Sequence, residues 1–129
     1  MTAVDTNLLV RLLTADDPRQ TARAAAIVSS GPIWIAKTVL LETAWVLGSA
    51  YGVDHNSIGN ALGQILRLKN VVVEDEPAVG GALALAAQGI DFADALHLAS
   101  RPAGVEFVTF DRPFVRRAKR AGIAGVVEA

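Results

Sequence analysis

The chain has 129 residues, of which 52% are hydrophobic, enough for one domain with a sizeable core and too apolar for a disordered segment. Its net charge of −1 and pI near 6.1 provide no global attraction to nucleic acid, so contact with a polyanion would need a local basic patch. The absence of cysteine excludes disulfides and thiolate metal sites, and no uncharged apolar run reaches the ~18 residues of a membrane span.

Asp5 and Arg11 interrupt the first apolar stretch, so it does not read as a secretory leader, and a cytoplasmic chain without membrane contact is expected. "AVD" after Thr2 predicts a first strand, and "NLLVRLL" a short helix after it. Asp17 followed by Pro18 is an N-cap with proline at the first helical position, so "PRQTARAAAIVSS" predicts a helix ending near Gly31. "PIWIA" predicts a second strand. "TVLLETAWVLGSAYG" predicts a helix with Thr38 as a candidate cap and Gly52 beyond its end. Asp54 opens a helix through "NSIGNALGQILRL"; "NVVVE", uniformly apolar and β-branched, then predicts a third strand covered on both faces.

Pro77 starts the helix "PAVGGALALAAQ", closed by Gly89, and "DFADALHLASR" predicts another, stopped by Pro102. "EFVTF" predicts a fourth strand, "RPFVRRAKRA" the last full helix, and "AGVVE" a short fifth strand. Strands separated by helices pair in parallel through right-handed crossovers. The expected architecture is an α/β single domain over residues 1–129, a three-layer α/β/α sandwich with a central parallel sheet of four to five strands.

Function in open parallel sheets collects beyond the carboxyl ends of the strands. Asp5 stands at that end of the first strand and Asp111 at that of the fourth. Glu42, in "TVLLETAWVL", and Asp94, in "DFADALHLA", lie in helices apolar almost all round, which predicts burial and a high desolvation cost for a lone carboxylate. Each acid also has a local reading. Asp5 and Asp111 can cap the helices that follow them, Asp94 can complement a helix dipole behind Asp91 as N-cap, and Glu42 can be salt-bridged. Together, four acids facing one crevice would repel unless some protonate or a cation neutralises them. With only two histidines, an all-oxygen set suits a hard cation, Mg²⁺ or Mn²⁺, with some carboxylates acting through bound water. Hydrolysis of a phosphodiester is the chemistry such a site points to.

"VDTNLLVRLL", "LLETAWVL", "DFADALHLA" and "FVTFDRPF" together resemble the motifs of PIN-domain ribonucleases, and specifically the VapC toxins of VapBC toxin–antitoxin pairs. The resemblance spans nearly the whole chain. It implies the α/β/α sandwich already derived and an acidic quartet of Asp5, Glu42, Asp94 and Asp111 around one or two Mg²⁺ or Mn²⁺ ions. Asp5 and Asp94 would be direct ligands, with Glu42 and Asp111 acting directly or through water. Thr6, Asn7 and Thr109 match polar positions that support the site. The implied reaction is in-line attack of metal-activated water on an RNA phosphodiester. The implied partners are RNA, a second copy of the chain and a VapB-type antitoxin, with DNA reached only through that antitoxin.

Asp91, three residues before Asp94, can be an N-cap or share the site, and His97 can orient a ligand or pack in its helix. His55 reads as exposed, and Trp34, Trp45 and Phe92 as core or interface residues. "RPFVRRAKR" carries five cations and no acid; it reads as a solvated face or a guide for the RNA backbone, with Arg112 and Arg116 the candidate contacts. Two other readings compete. A haloacid-dehalogenase-type phosphatase needs a second Asp two residues after the first, where Asn7 stands; a non-catalytic PIN-fold binding module would hold RNA and leave it whole.

Overall fold

Short strands and helices alternate along the chain in a computed structural model that describes residues 1–129. In order they are β1 (Thr2–Ala3), α1 (Thr6–Thr14), α2 (Pro18–Ser29), β2 (Ile33–Ile35), α3 (Lys37–Tyr51), α4 (His55–Leu66), β3 (Val71–Val73), α5 (Glu76–Ala87), α6 (Phe92–Ala99), β4 (Phe107–Thr109), α7 (Arg112–Arg120) and β5 (Val126–Glu128). Every expected element is present. All strand pairs are parallel, and the architecture is the expected α/β sandwich.

The sheet differs from expectation in one respect: it is divided. β1, β2 and β3 form one sheet in that order, and β4 pairs with β5 in a second. Register runs Ala3 to Trp34 to Val72 in the first and Val108 to Val127 in the second. The reason lies in β1. It is two residues long, Asp5 turns the chain directly into α1, and its bonds all go towards β2, as in Thr2 N–H to the Pro32 carbonyl at 2.9 Å. β3 is also a correction. It is the edge of its sheet, and Val72 is 45% exposed, so the apolar run does not mean cover on both faces.

The main core gathers Leu9, Ile33, Ile35, Leu40, Leu62 and Val79 with a wider apolar cluster drawn from α1, α3, α4, α5, α6 and the first sheet. Each such side chain, fully buried, contributes about 1.5–3 kcal/mol relative to exposure. Beside β4 and β5 the core is far smaller: Leu98, Phe114 and Ala118, with the Phe107 ring 5.6 Å from that of Phe114.

Helix caps fix where the polar groups fall. Asp5, Asp17, Asp54, Asp91 and Asp111 each accept a backbone N–H from the first turn of the helix that follows. α5 has no such side-chain cap at Asp75, and α3 has none either. Thr38 does not cap it; instead the Lys37 N–H donates to Glu74 Oε1, at 2.9 Å, from the end of β3. With β1, β2, β3 and β4 all turning into helices at their carboxyl ends, one edge of the molecule collects helix N-termini and acids.

Candidate active site

Asp5 leaves β1 with extended backbone, and its carboxylate accepts from Leu8 N at 3.0 Å. The cap locks the side chain at the mouth of α1 while leaving its second oxygen and the remaining lone pairs available. The next residue, Thr6, is buried and donates its hydroxyl to Glu42 Oε1 on α3. Glu42 is thereby tied to the residue beside Asp5 from 36 positions away.

Burial is not what defines Glu42. α3 is apolar almost all round, but its outer face is open: Glu42 is exposed and Trp45 is 68% exposed. The expected desolvation cost therefore does not apply at Glu42, because an apolar helix on the surface of a small domain can bury only one side. The partner of its carboxylate is the Thr6 hydroxyl.

The other acids gather where α6 and α7 begin. Asp91 caps α6, accepting from Ala93 N at 3.1 Å and Asp94 N at 3.3 Å, as its N-cap reading expected. Its other oxygen lies 3.2 Å from His55 Nδ1, so the exposed His55 is a partner to this group rather than a bystander. Asp111 caps α7 through Phe114 N at 3.0 Å, and its own N–H donates to Thr109 Oγ1 at 3.0 Å. Thr109 thus sets the backbone that aims Asp111.

Asp94 stands half-buried between them, with no salt bridge of its own. Burial first, then the charges of Asp91 and Asp111, hold its carboxyl above the usual aspartate range; His97 and Arg117 act in the opposite sense. His97 itself is exposed in the last turn of α6 rather than packed into it.

Two acidic groups result, Asp5 with Glu42 and Asp94 with Asp111 and Asp91. No three acidic or histidine side chains stand close enough to make a ready metal cage. The donor chemistry nevertheless fits Mg²⁺ or Mn²⁺. All donors are hard oxygens, Asp94 forms no salt bridge, and Mg²⁺ takes one or two carboxylates while keeping several waters.

The other expected contacts divide. Asn7 is exposed and lines a cavity of about 210 Å³ between α1 and α2 with Arg11, Gln20 and Arg23, away from any hydrogen bond to the acids. Arg112 is held by Glu128, Nε to Oε1 at 2.7 Å, which ties α7 to β5. Arg116 is exposed and forms no ion pair. Phe92 is core, as expected, whereas Trp34 is partly exposed. Sequence reasoning missed Arg117 as a neighbour of Asp94 and Glu74 as the cap of α3. The former was one cation among five, and the latter acts across 37 positions with no local signal.

A family model described as PIN domain matches residues 2–120. No curated protein and no solved structure matches the chain.

Proposed function

The chain belongs to the PIN domain family, generally metal-dependent nucleases acting on nucleic acid, and from that premise we propose that it is a Mg²⁺- or Mn²⁺-dependent ribonuclease, the VapC-type toxin of a toxin–antitoxin pair. Residues 1–129 act as one PIN domain. The observation that carries the reading is the crowding at Asp94, half-buried beside Asp91 and Asp111 and without a salt bridge. Such a carboxylate is relieved by a nearby cation, and a divalent one suits an all-oxygen donor set.

Asp5 and Asp94 are the direct ligands in this reading, and Glu42 and Asp111 bind directly or through water. When bound, the cation lowers the pKa of water and stabilises charge on the phosphate. The chain's own groups supply the positioning. The Leu8 amide fixes Asp5, the Thr6 hydroxyl orients Glu42, and Thr109 fixes the backbone of Asp111. Asp91 keeps the start of α6 capped and adds negative charge beside Asp94. Neutralisation by a VapB-type antitoxin and homodimer formation belong to the same reading, with DNA contacted only through the antitoxin.

Purified, antitoxin-free protein incubated with total cellular RNA tests it. Discrete fragments are expected with Mg²⁺ or Mn²⁺, and none with EDTA or with folded Asp5→Asn and Asp94→Asn variants. Cleavage that survives both variants would overturn the assignment. The lack of a ready cage of three acids favours one second reading, a PIN-fold module that binds RNA without turnover. RNA held but left whole in either metal would select it.

A further inference from the structure

α7 presents two unlike faces. Phe114 and Ala118 are buried, whereas Arg116, Arg117, Lys119 and Arg120 face solvent. Arg117 and Arg120, with Gln88, Gly89 and Ala121, line a cavity of about 330 Å³ between the end of α5 and the last turn of α7. Neither arginine forms an ion pair; the chain's salt-bridging cations are Arg11, Lys37, His55 and Arg112. Gly89 leaves its wall open, with nothing within 4 Å of where a side chain would begin. Asp91 stands two residues and Asp94 five residues after Gly89, and the charge of Arg117 acts on Asp94. The cavity therefore adjoins the acidic group of α6.

A simpler account of these arginines is complementarity to the carboxyl end of the α7 dipole. That account needs charge in the last turn. It does not need two unpaired guanidinium groups on a cleft beside carboxylates. Guanidinium forks match phosphate oxygens in pairs, and an amide such as Gln88 adds a donor. We infer that the cleft formed by Arg117, Arg120, Gln88 and Gly89 seats a backbone phosphate of the RNA strand that reaches Asp94. The inference rests on the ribonuclease reading for its ligand. It also moves the contact from Arg112, already held by Glu128, to the far end of the same helix.

The test is fluorescence anisotropy of a labelled single-stranded oligoribonucleotide, in EDTA and over a salt series. The parent is compared with Arg117→Gln/Arg120→Gln, Arg117→Lys/Arg120→Lys and Arg112→Gln/Arg116→Gln, each checked for folding by thermal melting. Losing the one seated phosphate should flatten the slope of log K against log salt by about 0.7, the value per phosphate on a single strand. Affinity at low salt should fall about tenfold or more, an estimate from the same counterion-release relation. The lysine pair should keep most of the slope, and the Arg112/Arg116 pair all of it. A glutamine pair that matches the parent, a lysine pair as weak as the glutamine pair, or an equal loss at Arg112/Arg116 overturns the inference. So does a parent that fails to bind the oligonucleotide. The same proteins assayed for cleavage in Mg²⁺ separate the two readings. Parental cleavage with an unchanged slope in the glutamine pair removes the phosphate seat and leaves the nuclease. The expected slopes without parental cleavage leave the seat and remove the nuclease.

Discussion

The side of the molecule built on β1, β2 and β3 and the side built on β4 and β5 reach their stability by different routes. On the first, buried Leu, Ile and Val from most of the helices surround the sheet, and the acids Asp5 and Glu42 stand at its rim. On the second, Leu98, Phe114 and Ala118 are the whole buried cluster, and polar ties supplement it. Arg101 donates to the Ala124 carbonyl at 2.7 Å and the Gly125 carbonyl at 3.0 Å, and Arg112 holds Glu128. Phe110 is 87% exposed beside β4. The thinner side carries Asp111 and the arginines of α7. Charge gathers where little apolar surface is available to bury, and the part of the crevice that meets RNA in the proposed reading is also the part least anchored by the core.

The largest effects should separate the two sides most clearly. Leu40→Ala, in the main core, should destabilise by about 2–5 kcal/mol, read as a lower urea midpoint for the whole chain. Phe114→Ala should remove about 3–5 kcal/mol, but first from the small side. Native-state hydrogen exchange should then show the β4 and β5 amides, such as Phe107 N–H to the Gly125 carbonyl, opening while β2 stays protected. Equal loss of protection in β2 and β4 would break the comparison and make the two sides one cooperative unit.

Next in size are the hydroxyls that aim the acids, one on each side. Thr6→Val and Thr109→Val keep the shape and remove the contact to Glu42 and the acceptor for the Asp111 N–H. In the proposed ribonuclease each should lower the metal-dependent cleavage rate by about 10–100-fold, the usual effect of losing a group that orients a metal ligand. If only one variant loses rate, catalysis depends on one acidic group rather than both.

Acid titration gives Asp94 the opposite sign to three other aspartates. Asp16, Asp54 and Asp75 are held below the ordinary value of 3.8, by the Tyr51 hydroxyl, the Ser57 amide and Lys37 respectively. Their stabilisation is complete above that value and is lost as pH falls through the lower folded values. Asp94 is raised, so its ionisation weighs against the fold at neutral pH and ceases to do so below the unfolded value. Asp94→Asn should therefore raise Tm at neutral pH, and the gain should vanish as pH is lowered to about 4. A gain that persists in acid would point to packing instead of charge. The smallest effect is a backbone one. Ala15 closes α1 at φ 51°, where an alanine is strained, and Ala15→Gly should add about 1 kcal/mol to unfolding stability.

The order of the elements was legible because it depends on local signals. The Asp17–Pro18 pair, the Asp54 cap, Gly52 and Gly89 past helix ends and the apolar strand runs act over a few residues, and the helices and strands stand where those signals put them. The roles of Asp91 and Asp111 as caps were legible for the same reason. The surroundings of Glu42 were not. An apolar helix reads as buried, yet which side of α3 meets solvent depends on what packs against it, and nothing covers Trp45.

By itself, then, the sequence determined which segments are helix and strand, that the strands run parallel, and where along the chain the acids and the arginine run fall. Hydrophobic period, caps and breakers are short-range and act wherever the residues occur. Only the tertiary structure decided that the sheet divides between β1 and β4, that Thr6 holds Glu42, that Glu74 caps α3, and that Arg117 and Arg120 line a cleft without ion pairs while Arg112 is held by Glu128. Each of these is a choice among partners dozens of residues apart in the chain or on opposite faces of one helix. Such choices are settled by packing and by which groups water can still reach, and no pattern within a short window encodes them.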